Sequence, residues 1–398
     1  MSVPDDPRRA PPRPATQAVH GGAGPGEPTG AVSTPVYRTS THRFATADDM
    51  LAAARGERPG FYTRYGGPNF RVVEQKHALL HGAEDSVLFG SGMAAVAAVL
   101  QSFVATGQRV VALRDVYGGT RDLLGFLGRQ SGLVTTWVPT GDLAALERAL
   151  PGARLLWAES PTNPMLRVLD LPALCAAARR HGVLVALDAT FAGPALQRPL
   201  LHGVDLVMES ATKSLGGHSD LLAGLVCGRA AHVATLRTTR KLLGGISDPE
   251  TAWLLERSLK TLHARVERQA ASALELARRL AADRRVVRVL HPLLPSHPDH
   301  EVARRTGLSG CGVLTVAVGG GLARARAVAE RQRLVSHAAS LGGVESLVSL
   351  PVLTSHAMFT PAERAEAGIG DDLLRLSVGL EDVEDLWADL AGALDATP

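Results

Sequence analysis

The chain has 398 residues, 45% of them hydrophobic and 20% charged, with a formal net charge of +3. That profile describes an ordinary globular protein, long enough for two domains or one large α/β domain with an appendage. It argues against nucleic acid and membrane as partners: arginines are interspersed with acids, aromatics are 4%, and no apolar run approaches a membrane span.

Met1 to Pro14 is rich in Pro and Arg without periodicity, which predicts a disordered tail. No signal-peptide apolar core is visible there. Residues 15–60 carry many Gly, Pro and Thr and read as an extended arm, so 1–60 forms a tail and arm. From there to about 250 the pattern alternates. Strand-like runs fall at Val87–Phe89, Val110–Leu113, Leu155–Ala158, Val183–Leu187 and Val204–Met208, with helical stretches such as Asp142–Leu150 and Leu171–Arg180 between them. Continuous apolar strands alternating with amphipathic helices predict a mostly parallel sheet covered on both faces, with the carboxyl ends lining one crevice. This is the expected first domain, 61–250. In 251–398, Leu255, Leu259, Leu262 and Val266 lay one apolar stripe on a helical segment over roughly 251–284. Strand-like Val286–Leu290, Val313–Val318 and Leu373–Val378 follow, then a last helix with Val383, Leu386, Trp387, Leu390 and Leu394 on one face. That is a smaller α+β domain. Cys175, Cys227 and Cys311 have neither paired nor metal-ligand spacing, which predicts reduced thiols, a cytoplasmic protein and no metal.

The residues that carry chemistry gather at predicted strand ends. Tyr62-Thr63-Arg64 puts an aromatic and a guanidinium on one edge of the arm, where they can reach a phosphate, including one in a neighbouring subunit. Ser91-Gly92-Met93 lies in a strand–glycine–helix turn suited to a phosphate, since backbone N–H groups and the helix dipole point at it. The same turn matches G-x-G-x-x-A with Asp115 some twenty residues on, so a nicotinamide-dependent oxidoreductase is the rival reading. Tyr117 in Asp115-Val-Tyr-Gly-Gly-Thr120 can stack on a ring, or simply mark a turn. Asn163, in Glu159-Ser-Pro-Thr-Asn163-Pro, is held between prolines as a rigid donor facing the same crevice, or simply belongs to a proline-rich loop. Asp188 ends one buried run. Lys213, one of four lysines against thirty-eight arginines, follows another in Ser210-Ala-Thr212-Lys213. A lysine able to form a Schiff base, hydroxyls for a phosphate and an acid for a pyridinium nitrogen are what pyridoxal phosphate (PLP) asks of a protein. Gly217-His218-Ser219-Asp220 contains the residue types of a hydrolytic triad, but contiguous residues do not make that geometry. Arg375 is a lone charge inside an apolar strand, better explained by a substrate carboxylate than by a buried ion pair.

On these motifs, with Ser340-Leu-Gly-Gly-Val-Glu-Ser-Leu347 and Arg375-Leu-Ser-Val-Gly-Leu-Glu-Asp382, the chain resembles the PLP-dependent trans-sulfuration enzymes. This is the family of cystathionine γ-synthase and cystathionine γ-lyase, and the likeness runs from about residue 15 to 396. The resemblance implies a fold-type I PLP enzyme that eliminates or replaces the γ-substituent of an amino acid, assembled as a homotetramer with active sites shared between subunits. It implies that Lys213 holds the cofactor, Asp188 pairs with its ring nitrogen and Tyr117 stacks on the ring. Ser91, Gly92, Met93, Ser210 and Thr212, with Tyr62 and Arg64 of a partner chain, would hold the phosphate; Asn163, Ser340 and Arg375 would place the substrate's α-carboxylate. Members that handle cystathionine commonly carry an arginine two residues after the Tyr-Gly-Gly-Thr turn and a glutamate directly before Ser-Leu-Gly-Gly. Here those positions are Asp122 and Ala339, so the expected substrate or nucleophile is not cystathionine, with an ordinary cystathionine enzyme as the alternative.

Overall fold

A computed structural model describes residues 12–22 and 30–397. The expected tail lies outside the described residues up to position 11, and its last residue opens a helix, Pro14–His20. That helix is tied down, because the buried Lys76 Nζ donates to Ala18 O at 2.8 Å and Val19 O at 3.2 Å. The arm is extended only in part: a second helix, Ala47–Ala54, starts where the Thr46 side chain accepts from Asp49 N.

Seven strands follow in chain order, β1 (Asp85–Phe89), β2 (Arg109–Leu113), β3 (Val134–Val138), β4 (Leu155–Glu159), β5 (Leu184–Asp188), β6 (Leu206–Ser210) and β7 (Gly224–Gly228). They form one sheet in the order β1-β7-β6-β5-β4-β2-β3. All pairs are parallel except those of β7, which runs against both β1 and β6. The apolar runs of β4, β5 and β6 are continuous because helices cover both faces. Two strands lack that signature for physical reasons. β3 is an edge strand that is half-buried over most of its length, so Val-Thr-Thr-Trp-Val suffices there. β7 is a short Gly-Leu-Val-Cys-Gly run whose first glycine has a steric purpose: a Cβ on Gly224 would sit 2.3 Å from Ser91 O. β5 and β6 end one and two residues beyond the expected runs, so Asp188 and Ser210 are the terminal residues of strands. β1 lies at the sheet edge against an antiparallel neighbour, whereas a dinucleotide-binding unit would make it an internal parallel strand. The oxidoreductase reading is thereby corrected.

A second sheet holds β8 (Arg288–Leu290), β9 (Val313–Ala317), β10 (Ser336–His337), β11 (Leu347–Ser349) and β12 (Leu373–Ser377), in the order β10-β11-β12-β9-β8. The helical segment expected over 251–284 is two helices, Pro249–Leu259 and Leu262–Ala281. The apolar stripe passes straight through the break at 260–261, so periodicity alone does not reveal it. Leu255, Leu259, Leu262 and Val266 pack with Leu88 and Leu225 of the large sheet. Ala273, Leu276, Ala277 and Leu280 pack with Leu314 and Leu374 of the small one. The second helix thus bridges the two cores, and the crevice lies where the carboxyl ends of the parallel strands face the small sheet.

Candidate active site

Lys213 lies three residues past β6, in a turn closed by its own N–H to Ser210 O at 3.1 Å. Its amine donates to Ser340 Oγ at 2.7 Å. Burial, and then the nearby Arg375 guanidinium, lower its pKa from the ordinary lysine value, which enriches the neutral, nucleophilic amine. The contact with Ser340 depends on the loop that follows it. Gly342 has φ +76, and a Cβ there would lie 2.6 Å from Ser214 N, so only glycine lets the 340–343 loop close on the lysine turn. Gly342 N–H also donates to Ser377 Oγ at 2.9 Å, at the end of β12.

Arg375 sits in the middle of β12, opposite Ser349 of β11 and Thr315 of β9. It is 6% exposed, and burial brings its pKa down to about 10. Nη1 donates to Asn163 Oδ1 at 3.0 Å and Nη2 to Ser340 O at 2.9 Å, while Nε is buried without a partner. Among the described residues no carboxylate pairs with it. A buried guanidinium satisfied only by neutral acceptors is a receptor for an incoming anion. Thr315 Oγ1 donates to Pro164 O at 2.6 Å and so anchors the Asn163 loop to the same sheet.

On the other side of the crevice, Asp188 is buried at the end of β5. Its Oδ1 accepts Thr190 N–H at 3.0 Å and Thr190 O–H at 2.6 Å. Burial outweighs those bonds and pushes its pKa up to about 6; a cationic ring nitrogen beside it would restore the ionised form. The turn before the helix Gly92–Phe103 comes close to β6: a Cβ on Gly92 would lie 3.0 Å from Ser210 Oγ. Ser91 caps that helix by accepting Ala94 N–H at 3.0 Å. The first N–H groups and the Ser210 hydroxyl therefore share one corner, where an anion fits. Met93 stands beside Tyr117, since a Cβ on Gly119 would touch both Met93 Sδ, at 3.0 Å, and the Tyr117 ring. Tyr117 is 48% exposed and its ring edges the opening.

Some expected residues are placed differently. The Thr212 hydroxyl is engaged by Ala223, donating to its carbonyl at 3.3 Å and accepting its N–H at 3.2 Å. Within one chain Arg64 donates to Lys241 O at 2.6 Å and stacks over Tyr62 and Tyr65. Tyr62 bridges to Thr41 and is 40% exposed. These contacts belong to the arm and not to the Lys213 cluster. Asp122 and Ala339 are both exposed. Arg121, next to Asp122, is paired with Glu363 at 2.9 Å and lies 4.5 Å from the centre of the Phe359 ring. Asp115 has its pKa raised by burial. No triad forms at 217–220: His218 Nδ1 bonds Gly216 O at 2.8 Å, and the Ser219 hydroxyl bonds Glu345.

Three buried groups carry more weight than sequence reading assigned them. Glu159 ends β4 and faces Asp188 across the ladder. His356 is 8% exposed, and burial, with Arg375 and Arg121 near it, drops its pKa to about 4. Its loop meets the Tyr117 turn, since a Cβ on Gly118 would lie 3.5 Å from Ser355 O. Glu209, one residue before Ser210, has Oε2 at 2.7 Å from both His77 Nε2 and His81 Nε2. Its burial disfavours charge, but His81 and His77 override that and hold it ionised, with a pKa of about 2. Cys227 lies beside the two histidines. The shared carboxylate accounts for the histidine pair as a hydrogen-bonded core cluster.

The family described as Cys/Met metabolism PLP-dependent enzyme matches residues 15–395. The chain is 38% identical to an L-methionine γ-lyase of Pseudomonas putida, over 96% of this chain and 97% of that one. It is 39% identical to an O-succinylhomoserine sulfhydrylase of Pseudomonas aeruginosa, over 93% and 92%. Its structure is similar to that of a cystathionine γ-synthase from Xanthomonas oryzae pv. oryzae, solved with aminoacrylate and cysteine. The TM-score is 0.93 at 35% identity, covering 98% of this chain and 100% of that one.

Proposed function

Because the chain belongs to the Cys/Met metabolism PLP-dependent enzyme family, we propose that it eliminates or replaces the γ-substituent of an amino acid whose distal end is simpler than cystathionine's. The carrying observation is the Lys213–Ser340–Arg375–Asn163 chain: a largely buried amine beside a buried guanidinium that has no carboxylate partner among the described residues. Relatives of nearly equal identity bear different activities by name, so identity alone does not choose among them.

The residues fit PLP. Lys213 would hold it covalently, Asp188 would pair with its ring nitrogen and Tyr117 would cover its face. Ser91, Gly92, Met93 and Ser210 take the phosphate, with Thr212 once its hydroxyl gives up Ala223. When bound, PLP supplies an electron sink for the negative charge left on the substrate carbon. Arg375 and Asn163 fix the α-carboxylate, which sets the Cα–H bond within reach of the lysine. Lys213 Nζ takes that proton as general base, and Ser340 Oγ, 2.7 Å away, orients the amine for the transfer. The same lysine, once it has passed the first proton on, also takes one from Cβ, and the γ-substituent leaves with its bonding electron pair. A nucleophile then adds at Cγ, or water completes the elimination to a 2-oxo acid and ammonia.

The distal wall supports the substrate class. Ala339 offers no charge beside Ser340, Asp122 is exposed, and Arg121 already has Glu363 as partner. His356 is uncharged near neutral pH, so it gives a distal carboxylate no cation. A distal zwitterion therefore finds no pair of opposite charges. The protein acts as a homotetramer whose subunits share sites through Tyr62 and Arg64. In its support, Leu242 and Leu243, beside the Lys241 carbonyl that holds Arg64, are 73% and 56% exposed in one chain. Three buried free thiols support a cytoplasmic setting. The test is a head-to-head kcat/KM comparison of methionine, homoserine esters, homocysteine and cystathionine. Loss of a desolvated charge pair predicts cystathionine to be poorer by about thirty- to several-thousand-fold; a preference for cystathionine would contradict the reading.

A further inference from the structure

Glu159 is a buried acid with no basic partner among the described residues. It is 4% exposed, and the charged groups around it are Asp188 on β5 and Asp115 beyond β2, both acids. If position 159 only filled the core, an apolar residue would do so at lower cost. What the carboxyl does hold is backbone. Glu159 Oε2 accepts the Tyr117 N–H at 2.6 Å, and the Asn163 N–H bonds the same carboxyl group. Tyr117 begins the helix Gly118–Ser131, while Asn163 Oδ1 takes Arg375 Nη1 at 3.0 Å.

We propose that Glu159 is a positioning residue: its carboxyl group fixes the Tyr117 turn against the cofactor face and, through Asn163, aims the Arg375 guanidinium at the substrate carboxylate. The inference rests on the roles given above to Tyr117 and Arg375. One side chain thereby couples the ring-stacking aromatic to the carboxylate receptor, from the ends of β2 and β4 to the middle of β12. Burial, and then Asp188, hold the Glu159 pKa well above the usual carboxylate range.

Glu159→Ala and Glu159→Gln in the PLP-loaded full chain test this. The measurements are the visible circular dichroism of bound cofactor, the PLP Kd from titrating apoprotein, and KM and kcat separately. Alanine loses both backbone bonds, which predicts an altered cofactor band, about tenfold weaker PLP binding and a KM raised about tenfold or more, with kcat less affected. Glutamine keeps one acceptor, so it retains the cofactor band while KM rises about fivefold. A folded Glu159→Ala with unchanged band, PLP affinity and KM overturns the proposal. If that variant does not fold, Glu159→Gln with unchanged KM overturns it. If no γ-substituted amino acid were turned over at all, the functional reading would fail, and the cofactor band and PLP affinity would still decide the role of Glu159.

Discussion

Replacing Arg375 by methionine is predicted to separate function from stability. In the free chain the guanidinium is 6% exposed with no carboxylate, which is costly, because a buried ion carries a desolvation penalty of several kcal/mol. Removing it relieves that cost but strands two acceptors, Asn163 Oδ1 and Ser340 O, at about 1–3 kcal/mol each. The two effects nearly cancel, so the unfolding free energy of Arg375→Met is expected within about 2 kcal/mol of the parent. Substrate binding has no such offset. Deleting one partner of a desolvated charge pair costs about 2–5 kcal/mol, or about thirty- to several-thousand-fold in kcat/KM. PLP stays bound, since Arg375 touches Asn163 and Ser340 and not the strand ends that hold the cofactor. Denaturant unfolding and steady-state kinetics on the same preparation read both numbers. A kcat/KM within about threefold of the parent would refute the carboxylate role.

Two further outcomes follow from the geometry. Glu209→Gln removes the carboxylate that serves His77 and His81, and should cost about 3–5 kcal/mol of stability at pH 7. The pH dependence has a definite sign. The Glu209 pKa is depressed from 4.5 to about 2, so its contribution is complete above 4.5 and disappears as pH falls toward 2; that of His77 is lowered from 6.5, which also favours the unfolded chain on acidification. Parent stability should therefore decline below pH 6.5 and steepen below 4.5, and the variant should lose the lower step; an unchanged acid profile would remove Glu209 as its source. For shared sites, mixing inactive Arg64→Ala with inactive Lys213→Ala chains should restore part of the activity after subunit exchange, whereas none after proven exchange would count against sharing.

Much of the site is legible in the sequence because its parts are local: a polar residue ending an apolar run becomes a side chain at a strand's carboxyl end. Asp188, Ser210 and Lys213 are of this kind. Arg375 stands out for the opposite reason, as a charge where the strand pattern calls for an apolar residue. What the sequence hides is long-range. Glu159 looks like an ordinary strand terminus until Tyr117 N, 42 residues away, is found on its carboxylate. Glu209 and the histidines of the helix Pro68–His81 meet only because that helix packs on β1 and β7, next to β6, though they lie 128 to 132 residues apart in sequence. β7 has a glycine at each end and only three apolar residues between them, so it does not register as a strand, yet it reverses the sheet and places β1 at its edge. Tyr62 and Arg64 read in sequence as a phosphate-binding pair, whereas within one chain Arg64 holds the Lys241 carbonyl and stacks over Tyr62 and Tyr65.

The most direct test of the account is chemical. Borohydride reduction of the purified protein, followed by peptide mapping, should attach PLP to the peptide that contains Lys213, abolishing activity. Lys76 is buried on backbone carbonyls and Lys241 lies against the Tyr65 ring, 4.9 Å from its centre. Label on Lys241 or Lys76 in place of Lys213, or activity that survives full labelling, would contradict the central claim.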